Sequence, residues 1–379
     1  MSLPPGRRAE GGAPSRPARV QPLRRLVQAG FVLLCLWIGI EFHLFVKFLE
    51  AGGSLPPVPR PPGVEAFLPI SSLMSLYLFF LTGEIHPFHP AGMFILAAVL
   101  LLSLCFPKSF CSFVCPFGLL SDVLAWPIER LRGRRTDLPR FLDRPLRSLK
   151  YLLFGFFGWA VFSMSAGALR GFLDSPYNLL ADVKMYLFFA RISSFALAVI
   201  AGLVLLSMLV RGFWCRYLCP YGAFLGLAGL LGLFRIRRRP ESCTDCGLCR
   251  RACPSRIRVD RAGTVVSDEC TFCLECVDAC PVPGALEVSP CLTHRAFSKW
   301  CVPAGVVALF LLVTGLGRVT GHWQNRVPVE TYLARFQRID AFDHVGGLKA
   351  ADRAAPEENG AGEGGEGPRQ GKGPPDGGR

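Results

Sequence analysis

The chain has 379 residues, of which 51% are apolar and 18% are charged, a composition too apolar for an ordinary soluble protein. The formal net charge of +14 does not indicate binding to nucleic acid, because the cations fall in blocks beside apolar runs, as they do in membrane proteins. The 16 cysteines do not indicate a small disulfide-rich secreted protein, because the chain is not small. Composition therefore predicts an all-α polytopic membrane protein.

Five apolar stretches are predicted to cross the membrane as helices. They cover about residues 25–48, 91–106, 151–168, 191–210 and 302–316. A further apolar stretch, about residues 67–81, is shorter than the roughly 20 residues that a spanning helix needs. We expect it to be a re-entrant segment or to lie in the outer interface. The sequence thus predicts about five spans with additional half helices.

Basic blocks indicate the orientation of these spans. Arginines precede the first span, and further blocks occupy residues 130–150 and 235–239. Because cytoplasmic loops are enriched in Lys and Arg, we expect the N-terminus and both blocks inside a bacterial inner membrane, and the C-terminus outside. Residues 1–24 are predicted to be a disordered basic arm, residues 319–349 an external segment, and residues 350–379 a disordered tail rich in Gly, Glu and Pro.

An internal repeat divides the membrane part into residues 25–135 and 136–239. Each copy contains a short apolar segment, a returning span, a C-x3-C-P-[FY]-G motif and a basic block, in that order. The repeat is therefore predicted to be parallel, with its axis along the membrane normal. Such a repeat brings the two motifs together at the cytoplasmic surface. Their cysteines are Cys111, Cys115, Cys215 and Cys219.

The prolines after Cys115 and Cys219 favour the first turn of a helix and disfavour helix at the cysteine itself. Both cysteines are therefore expected at helix N-termini, where the helix dipole lowers the pKa of a thiol. Four converging thiolates could hold a further metal cluster, form a redox-active dithiol or dock the cysteine-rich domain that follows. The alternative is that these cysteines are small buried side chains without chemistry.

Residues 240–290 carry the densest cysteine pattern, two runs of the form C-x2-C-x2-C-x3-C-P. The runs consist of Cys243, Cys246, Cys249 and Cys253, and of Cys270, Cys273, Cys276 and Cys280. Three thiolates on one tight loop can bind three corners of an iron–sulfur cubane, and the fourth must come from elsewhere in the fold. Zinc binding and disulfide formation are alternatives, although zinc sites usually present pairs of ligands rather than triplets.

This stretch resembles bacterial ferredoxins with two [4Fe-4S] clusters, in which the fourth cysteine of each run ligates the other cluster. The resemblance implies an α+β ferredoxin domain over residues 240–290, inserted before a final membrane span within residues 291–318. It also implies two ligand sets, Cys243, Cys246, Cys249 and Cys280 for one cluster and Cys253, Cys270, Cys273 and Cys276 for the other.

Ionisable residues at the predicted outer side are candidates for a quinol pocket. They are Glu41, His43, His86, His89 and Asp174. A carboxylate or imidazole there could take a proton from a quinol, with apolar walls for the ring. The alternative is a set of interface residues wetted by headgroups and water. A haem is not favoured, because no two histidines lie at matching depth on two clear spans.

The combination of membrane spans, two C-x3-C-P motifs and a two-cluster ferredoxin insert resembles the NapH/NosR family of membrane-bound ferredoxins and the related CcoG-type polyferredoxins. The resemblance covers about residues 25–320. It implies electron transfer between quinone or menaquinone and a respiratory reductase, by a quinol dehydrogenase or an electron-transfer subunit with redox proteins and lipid as partners. The alternatives are a factor for metallocentre assembly or metal reduction, as for cytochrome oxidase and copper, and a redox sensor.

Overall fold

The computed structural model describes residues 19–132, 138–293, 295–343 and 347–348. Within these ranges the chain forms fifteen α-helices, joined by short 3-10 segments and one π-helical turn, and four short strands. The helices are α1 (Gln21–Glu50), α2 (Pro69–Thr82), α3 (Pro90–Cys105), α4 (Ser109–Phe113), α5 (Pro116–Arg132), α6 (Arg140–Phe162), α7 (Ala166–Leu173), α8 (Pro176–Leu179), α9 (Ala181–Ala190), α10 (Ser194–Leu209), α11 (Pro220–Gly229), α12 (Leu248–Ala252), α13 (Glu275–Asp278), α14 (Cys301–Val319) and α15 (Val329–Phe336). The strands are β1 (Phe234–Arg238), β2 (Leu286–Pro290), β3 (Phe342–Asp343) and β4 (Gly347–Leu348).

Two of these helices, α1 and α14, are long and apolar enough to cross a membrane, and the described residues contain up to four such spans if each of two bent helix pairs counts as one. The pairs are α6 with α7, bent by 102°, and α9 with α10, bent by 86°. The first bend corrects the continuous helix predicted over residues 151–168. The second bend lies at the start of the span predicted over residues 191–210, which α10 otherwise covers without a break. Serine explains both breaks, because Ser165 and Ser193 cap the helices that follow them.

The remaining apolar helices are shorter. The helix α2 has 14 residues and α3 has 16, against the roughly 20 that span a bilayer upright. The length of α2 agrees with the short segment predicted at residues 67–81. The number of spans that the sequence predicts, about five, stays a prediction.

The helix α3 is the buried centre of the helical part and packs against α2, α11 and α14. Its approach to α14 depends on a small residue, since a Cβ at Gly317 would lie 2.9 Å from the ring of Phe94. Small residues at helix interfaces allow such close packing in membrane proteins. The helix α3 runs from the loop that contains His86 and His89 to the first C-x3-C-P motif.

The cysteine-rich segment forms a small domain held by two strands. The strand β1 pairs with β2 in antiparallel register, with Ile236 opposite Val288. Because these strands open and close the segment, the chain enters and leaves the domain at one place. The ring of Phe234 lies 5.0 Å from Phe106, just after α3, and the apolar residues of both parts form one continuous core.

The start of α1 corrects the predicted N-terminal arm. The helix begins at Gln21, where the sequence predicts disorder through residue 24, and Val20 is buried. The backbone N–H groups of Val20 and Gln21 donate to Asp278 Oδ2 at 2.7 and 3.1 Å. Arg24 pairs with Glu275 at 3.3 Å. Residues 19–24 thus attach α1 to the small domain, while residues 1–18 and the predicted tail at 350–379 lie outside the described residues.

The predicted cytoplasmic basic block also differs from expectation. The helix α6 begins at Arg140, inside that block, rather than at residue 151. Lys150 is fully buried and pairs with Glu269 of the small domain. A long aliphatic stem makes such a lysine compatible with an apolar helix when a carboxylate meets its charged end. Part of the basic block is therefore structural.

Candidate functional site

The first of two cavities in the small domain is lined by four cysteines from both sequence runs. They are Cys243, Cys246, Cys249 and Cys280. The loop turns sharply here, because Asp245 and Gly247 have left-handed backbones with φ of 51° and 69°. These turns direct three consecutive cysteines of the run to one cavity. Cys246 is exposed to solvent, so this cavity opens to the protein surface.

The second cavity is lined by the other four cysteines. They are Cys253, Cys270, Cys273 and Cys276. Here Phe272 and Leu274 have left-handed backbones, with φ of 52° and 62°, in the same positions relative to the cysteines. The two cavities are of similar size.

The donor set fits two four-cysteine clusters. Each cavity collects three thiols from one run and the fourth thiol from the other run, as in two-cluster ferredoxins. All 16 cysteines are free thiols, which is contrary to the disulfide alternative. In the described part of the chain no three His, Cys, Asp or Glu side chains are arranged to hold a single metal ion.

The strand β1 shows which of the two cavities lies closer to the membrane helices. Phe234 contacts Phe106 next to α3, Ile236 lines the second cavity and Arg238 lines the first. Two residues of a strand advance by roughly 7 Å. The second cavity therefore lies near the helical part, and the first lies further from it.

Hydrogen bonds attach the cysteine loop of the second cavity to the helical part. Ser112 Oγ donates to the carbonyl oxygen of Thr271 at 2.6 Å, and Gln21 Nε2 donates to that of Cys273 at 2.9 Å. A Cβ at Gly226 would lie 2.7 Å from the carbonyl oxygen of Asp268, so α11 touches the backbone of this loop. The second cavity is thus held against the C-x3-C-P motifs.

Two buried lysines occupy the same interface. Lys108 Nζ donates to the carbonyl oxygen of Asp268 at 3.3 Å and lies 3.9 Å from Glu269 Oε2. Its backbone is left-handed, with φ of 52°, which is uncommon for a residue with a side chain. Lys150 approaches the same carboxylate from α6. Two buried cations and the carboxylates that they pair with therefore lie between the C-x3-C-P motifs and the second cavity.

The C-x3-C-P motifs have the predicted backbone form. The helices α5 and α11 begin at Pro116 and Pro220, which confirms that Cys115 and Cys219 lie at helix N-termini. The thiol of Cys219 accepts a hydrogen bond from the Gly222 N–H at 3.2 Å. Glycine is required at position 118, because a Cβ there would lie 2.1 Å from the carbonyl oxygen of Cys111.

The four thiols of these motifs are close enough to interact electrostatically, as the repeat predicts. Burial raises the pKa of Cys111 most, Lys108 opposes this, and thiolates at Cys115, Cys215 and Cys219 would each raise it further. The predicted lowering of the thiol pKa is wrong for the free thiols, however. Burial raises the pKa of Cys115 to about 11, although backbone hydrogen bonds from Gly118 and residue 117 lower it. Burial likewise raises the pKa of Cys215 to about 12.

The candidate quinol residues fall into separate groups. His86 Nε2 donates to Asp174 Oδ1 at 3.0 Å, which joins the loop between α2 and α3 to the loop between α7 and α8. His43 Nδ1 lies 2.5 Å from the hydroxyl of Tyr186, and Glu41 forms no hydrogen bond or ion pair with the described residues. His43 and Glu41 do not pair with each other, as expected for helix positions two residues apart.

The fifth candidate, His89, belongs to a buried ionic network that sequence reasoning missed. Arg60 Nε donates to Asp182 Oδ2 at 2.6 Å, and Arg60 also pairs with Glu65 at 2.7 Å. His89 Nδ1 lies 3.2 Å from the Arg60 guanidinium, and His89 Nε2 donates to the carbonyl oxygen of Asn178 at 2.8 Å. The Arg60 side chain is therefore enclosed by its partners, and no local pattern in the sequence signals this.

Comparison with known proteins agrees with these sites. A family model described as a 4Fe-4S dicluster domain matches residues 235–281, and a second model, described as a 4Fe-4S binding domain, matches residues 88–135 and 194–239. The putative electron transport protein YccM of Escherichia coli is 41% identical over 85% of this chain and 91% of its own length. The methylamine utilization ferredoxin-type protein MauN of Methylorubrum extorquens is 33% identical over 74% of this chain and 94% of its own length.

Protein NirI of Paracoccus denitrificans is 32% identical over 50% of this chain and 27% of its own length. No solved structure matches the chain. The identity to YccM extends over nearly the whole of both chains, and the cysteine sites fall within the matched family models. The chain therefore belongs to the family of membrane-associated 4Fe-4S ferredoxin-type electron transport proteins.

Proposed function

We propose that the protein carries electrons between the quinone pool and a respiratory reductase chain and holds two [4Fe-4S] clusters for this purpose. Cys243, Cys246, Cys249 and Cys280 would bind one cluster, and Cys253, Cys270, Cys273 and Cys276 the other. Each cluster supplies a centre that accepts and releases one electron. The observation that carries the proposal is the pair of four-cysteine cavities, ordered along β1 from the membrane helices outward.

The chain's own residues support a path from the membrane part to the small domain. Ser112 and Gln21 hydrogen-bond to the backbone of the cysteine loop around the second cavity. Lys108 and Lys150 place buried positive charge beside it. Fixed hydrogen bonds and fixed charges keep a redox site at one position and tune its potential. The second cavity would therefore exchange electrons with the membrane side, and the first with a partner.

We further propose a third cluster at the C-x3-C-P motifs, bound by Cys111, Cys115, Cys215 and Cys219. Two observations support it. The four thiols lie within electrostatic reach of each other, and the same 4Fe-4S family model matches both copies of the motif. A site between the membrane part and the second cavity would serve as the relay that the electron path needs.

The membrane arrangement is part of the proposal. Five spans, a parallel repeat over residues 25–135 and 136–239, a cytoplasmic small domain and an external C-terminal segment suit the charge distribution in the sequence. The contact between His86 and Asp174 joins equivalent loops of the two halves and offers a proton acceptor for a quinol. The 16 residues of α3 separate this end from the C-x3-C-P motifs by about 24 Å, so electrons from it require an intermediate carrier.

Anaerobic purification with iron and sulfide counting, followed by EPR after addition of menaquinol, tests the proposal. About eight irons per chain indicates two clusters and about twelve indicates three. The Cys115→Ser/Cys219→Ser variant should lose about four irons and keep the EPR signals of the small domain. Iron-free protein would overturn the cluster assignment. Clusters that menaquinol does not reduce would overturn the quinone assignment and favour an assembly or metal-reducing factor instead.

A further inference from the structure

The first cavity reaches the surface of the small domain. Cys246 is exposed, whereas Cys253, Cys273 and Cys276 of the second cavity are buried. Leu248, two residues after Cys246, exposes 41% of its surface and supplies an apolar contact at the same edge. Electrons can therefore enter or leave the small domain by the shortest path at Cys246.

Exposed arginines surround this edge. Arg250 and Arg251 lie on α12, next to the cavity-lining Cys249, and Arg251 donates to the carbonyl oxygen of Cys246 at 3.4 Å. Arg258 and Arg261 are exposed on either side of Asp260, which also lines the cavity. Among the described residues, the guanidinium groups of Arg250, Arg258 and Arg261 form no ion pair. We call Arg250, Arg251, Arg258 and Arg261 the arginine rim.

Few carboxylates offset this charge. Glu241 and Asp245 are the exposed acids on the loop before Cys246, and Asp245 already pairs with Arg238 at 2.9 Å. Unpaired cations that remain in solvent raise the local potential, attract negatively charged surfaces and accelerate association by 10-fold to 1,000-fold at low salt. The arginine rim is therefore suited to a negatively charged partner.

The position of the arginine rim indicates whether its partner is a lipid surface or a protein. Phe234, at the start of β1, contacts the helical part, and Arg238, at its end, lines the first cavity. This difference of four residues places the cavity roughly 13 Å further from the membrane helices along the strand. Phospholipid headgroups attract cations close to the bilayer, and the attraction falls off within a Debye length, about 8 to 10 Å. The rim is thus better placed for a protein.

We propose that the arginine rim is the docking surface for a small soluble electron carrier whose redox group is surrounded by carboxylates. The proposal rests on the proposed electron-transfer function and specifies its partner on the side away from the membrane. Docking would serve the transfer of one electron between this protein and the carrier, from whichever of the two is reduced to the one that is oxidised. In this protein the electron would enter or leave at the site lined by Cys243, Cys246, Cys249 and Cys280. No covalent bond or proton changes.

Binding of a probe carrier tests the proposal without requiring turnover. The full chain with its clusters is placed in nanodiscs of neutral lipid and, in parallel, in nanodiscs that contain anionic lipid. The Kd of an acidic plant-type [2Fe-2S] ferredoxin is then measured by surface plasmon resonance over a range of salt concentrations. Basic cytochrome c is the second probe. We expect the acidic ferredoxin to bind at low salt and to weaken steeply as salt rises, and cytochrome c not to bind at this surface.

The variants separate this surface from overall charge. The variant Arg250→Gln/Arg258→Gln/Arg261→Gln should raise the Kd of the acidic ferredoxin at least about tenfold at low salt, and should slow electron exchange with it in stopped flow. The control Arg191→Gln/Arg318→Gln/Arg326→Gln removes the same charge from exposed positions outside the small domain and should bind like the unaltered protein. Equal loss in both variants, or no loss in either, would overturn the docking surface.

Two further readouts distinguish the possible failures. Iron content and reduction by dithionite should be the same in the unaltered protein and both variants. If the unaltered protein contains no iron, the proposed function fails, whatever the probes show. If it contains its clusters but binding changes only with the anionic lipid content of the nanodisc, the arginines contact the membrane, and the docking proposal fails while the proposed function stands.

Discussion

Ser112 donates a hydrogen bond from Oγ to the carbonyl oxygen of Thr271 at 2.6 Å. Ser112 follows Cys111 of the first C-x3-C-P motif, and Thr271 follows Cys270 of the second cavity. Cysteines of the membrane part and of the small domain are therefore adjacent, through neighbouring residues that share a hydrogen bond. This relationship joins two separate cysteine motifs of the sequence into one continuous region of the fold.

The contact of α11 with the second cysteine loop leads to the first prediction. A methyl group at position 226 would lie 2.7 Å from the carbonyl oxygen of Asp268, so Gly226→Ala must displace the loop. We expect a loss of about 1 to 3 kcal/mol of stability from overpacking and, for a cluster bound in the second cavity, a changed EPR spectrum. Thermal unfolding and EPR of the purified protein measure the two effects.

The matched control is Gly202→Ala, because Gly202 is also helical and nothing lies within 4 Å of an added Cβ. This change should leave the EPR spectrum unaltered and should stabilise the protein slightly, by roughly 0.5 to 1 kcal/mol, through helix propensity. An unaltered spectrum in Gly226→Ala would show that α11 does not support the loop.

The buried ionic network gives the second prediction. Burial lowers the pKa of Arg60, but Asp182 and Glu65 more than offset this, so the pKa is raised and the arginine stays charged. In Arg60→Met both carboxylates lose the arginine that they share, and removing one member of a buried pair costs about 3 to 5 kcal/mol. Thermal unfolding should show a large loss of stability. Lys47→Met, at an exposed pair with Glu50, should show none; equal effects would mean that the network does not stabilise the protein.

The sequence predicts the cysteine sites because their pattern is local. Spacing within each run indicates which thiols share a loop. The helix starts at Pro116 and Pro220 are also local features. By contrast, Arg60 and Asp182 lie 122 residues apart, and each alone resembles an ordinary loop charge. Only the packed fold brings them together.

Burial accounts for the other differences. The dipole argument predicts a lower thiol pKa at Cys115, but enclosure of the thiol by packed side chains dominates and raises it. The basic block before residue 151 suggests a solvated cytoplasmic loop, yet Lys150 is fully buried because Glu269, 119 residues further along the chain, meets its charge. The composition of a segment does not show which distant residue will contact it in the fold.

The third prediction concerns pH. Burial lowers the pKa of His86, although Asp174 raises it, so the folded protein binds this proton less tightly than the unfolded chain, in which the pKa is about 6.5. Stability from this site is therefore present above about pH 6.5 and is lost as the pH falls below it. The melting temperature should decrease between pH 7.5 and 5.5, and His86→Gln should reduce that decrease. An unchanged pH profile in the variant would assign the effect to other groups.

The fourth prediction concerns the redox potential of the site lined by Cys253, Cys270, Cys273 and Cys276. Lys150 carries a buried positive charge against Glu269, the residue before Cys270. At a separation on the order of 10 Å and an effective dielectric constant of about 20, one charge contributes about 1.7 kcal/mol, or roughly 70 mV for a one-electron couple. Positive charge stabilises the reduced form, so Lys150→Met should lower the potential by tens of millivolts in an EPR-monitored titration, and Lys150→Arg should change it little.

Arg144→Met, on the exposed side of α6, should have no measurable effect because water and salt screen its charge. A shift of the same size in Arg144→Met would show that overall charge sets the potential, rather than the buried lysine.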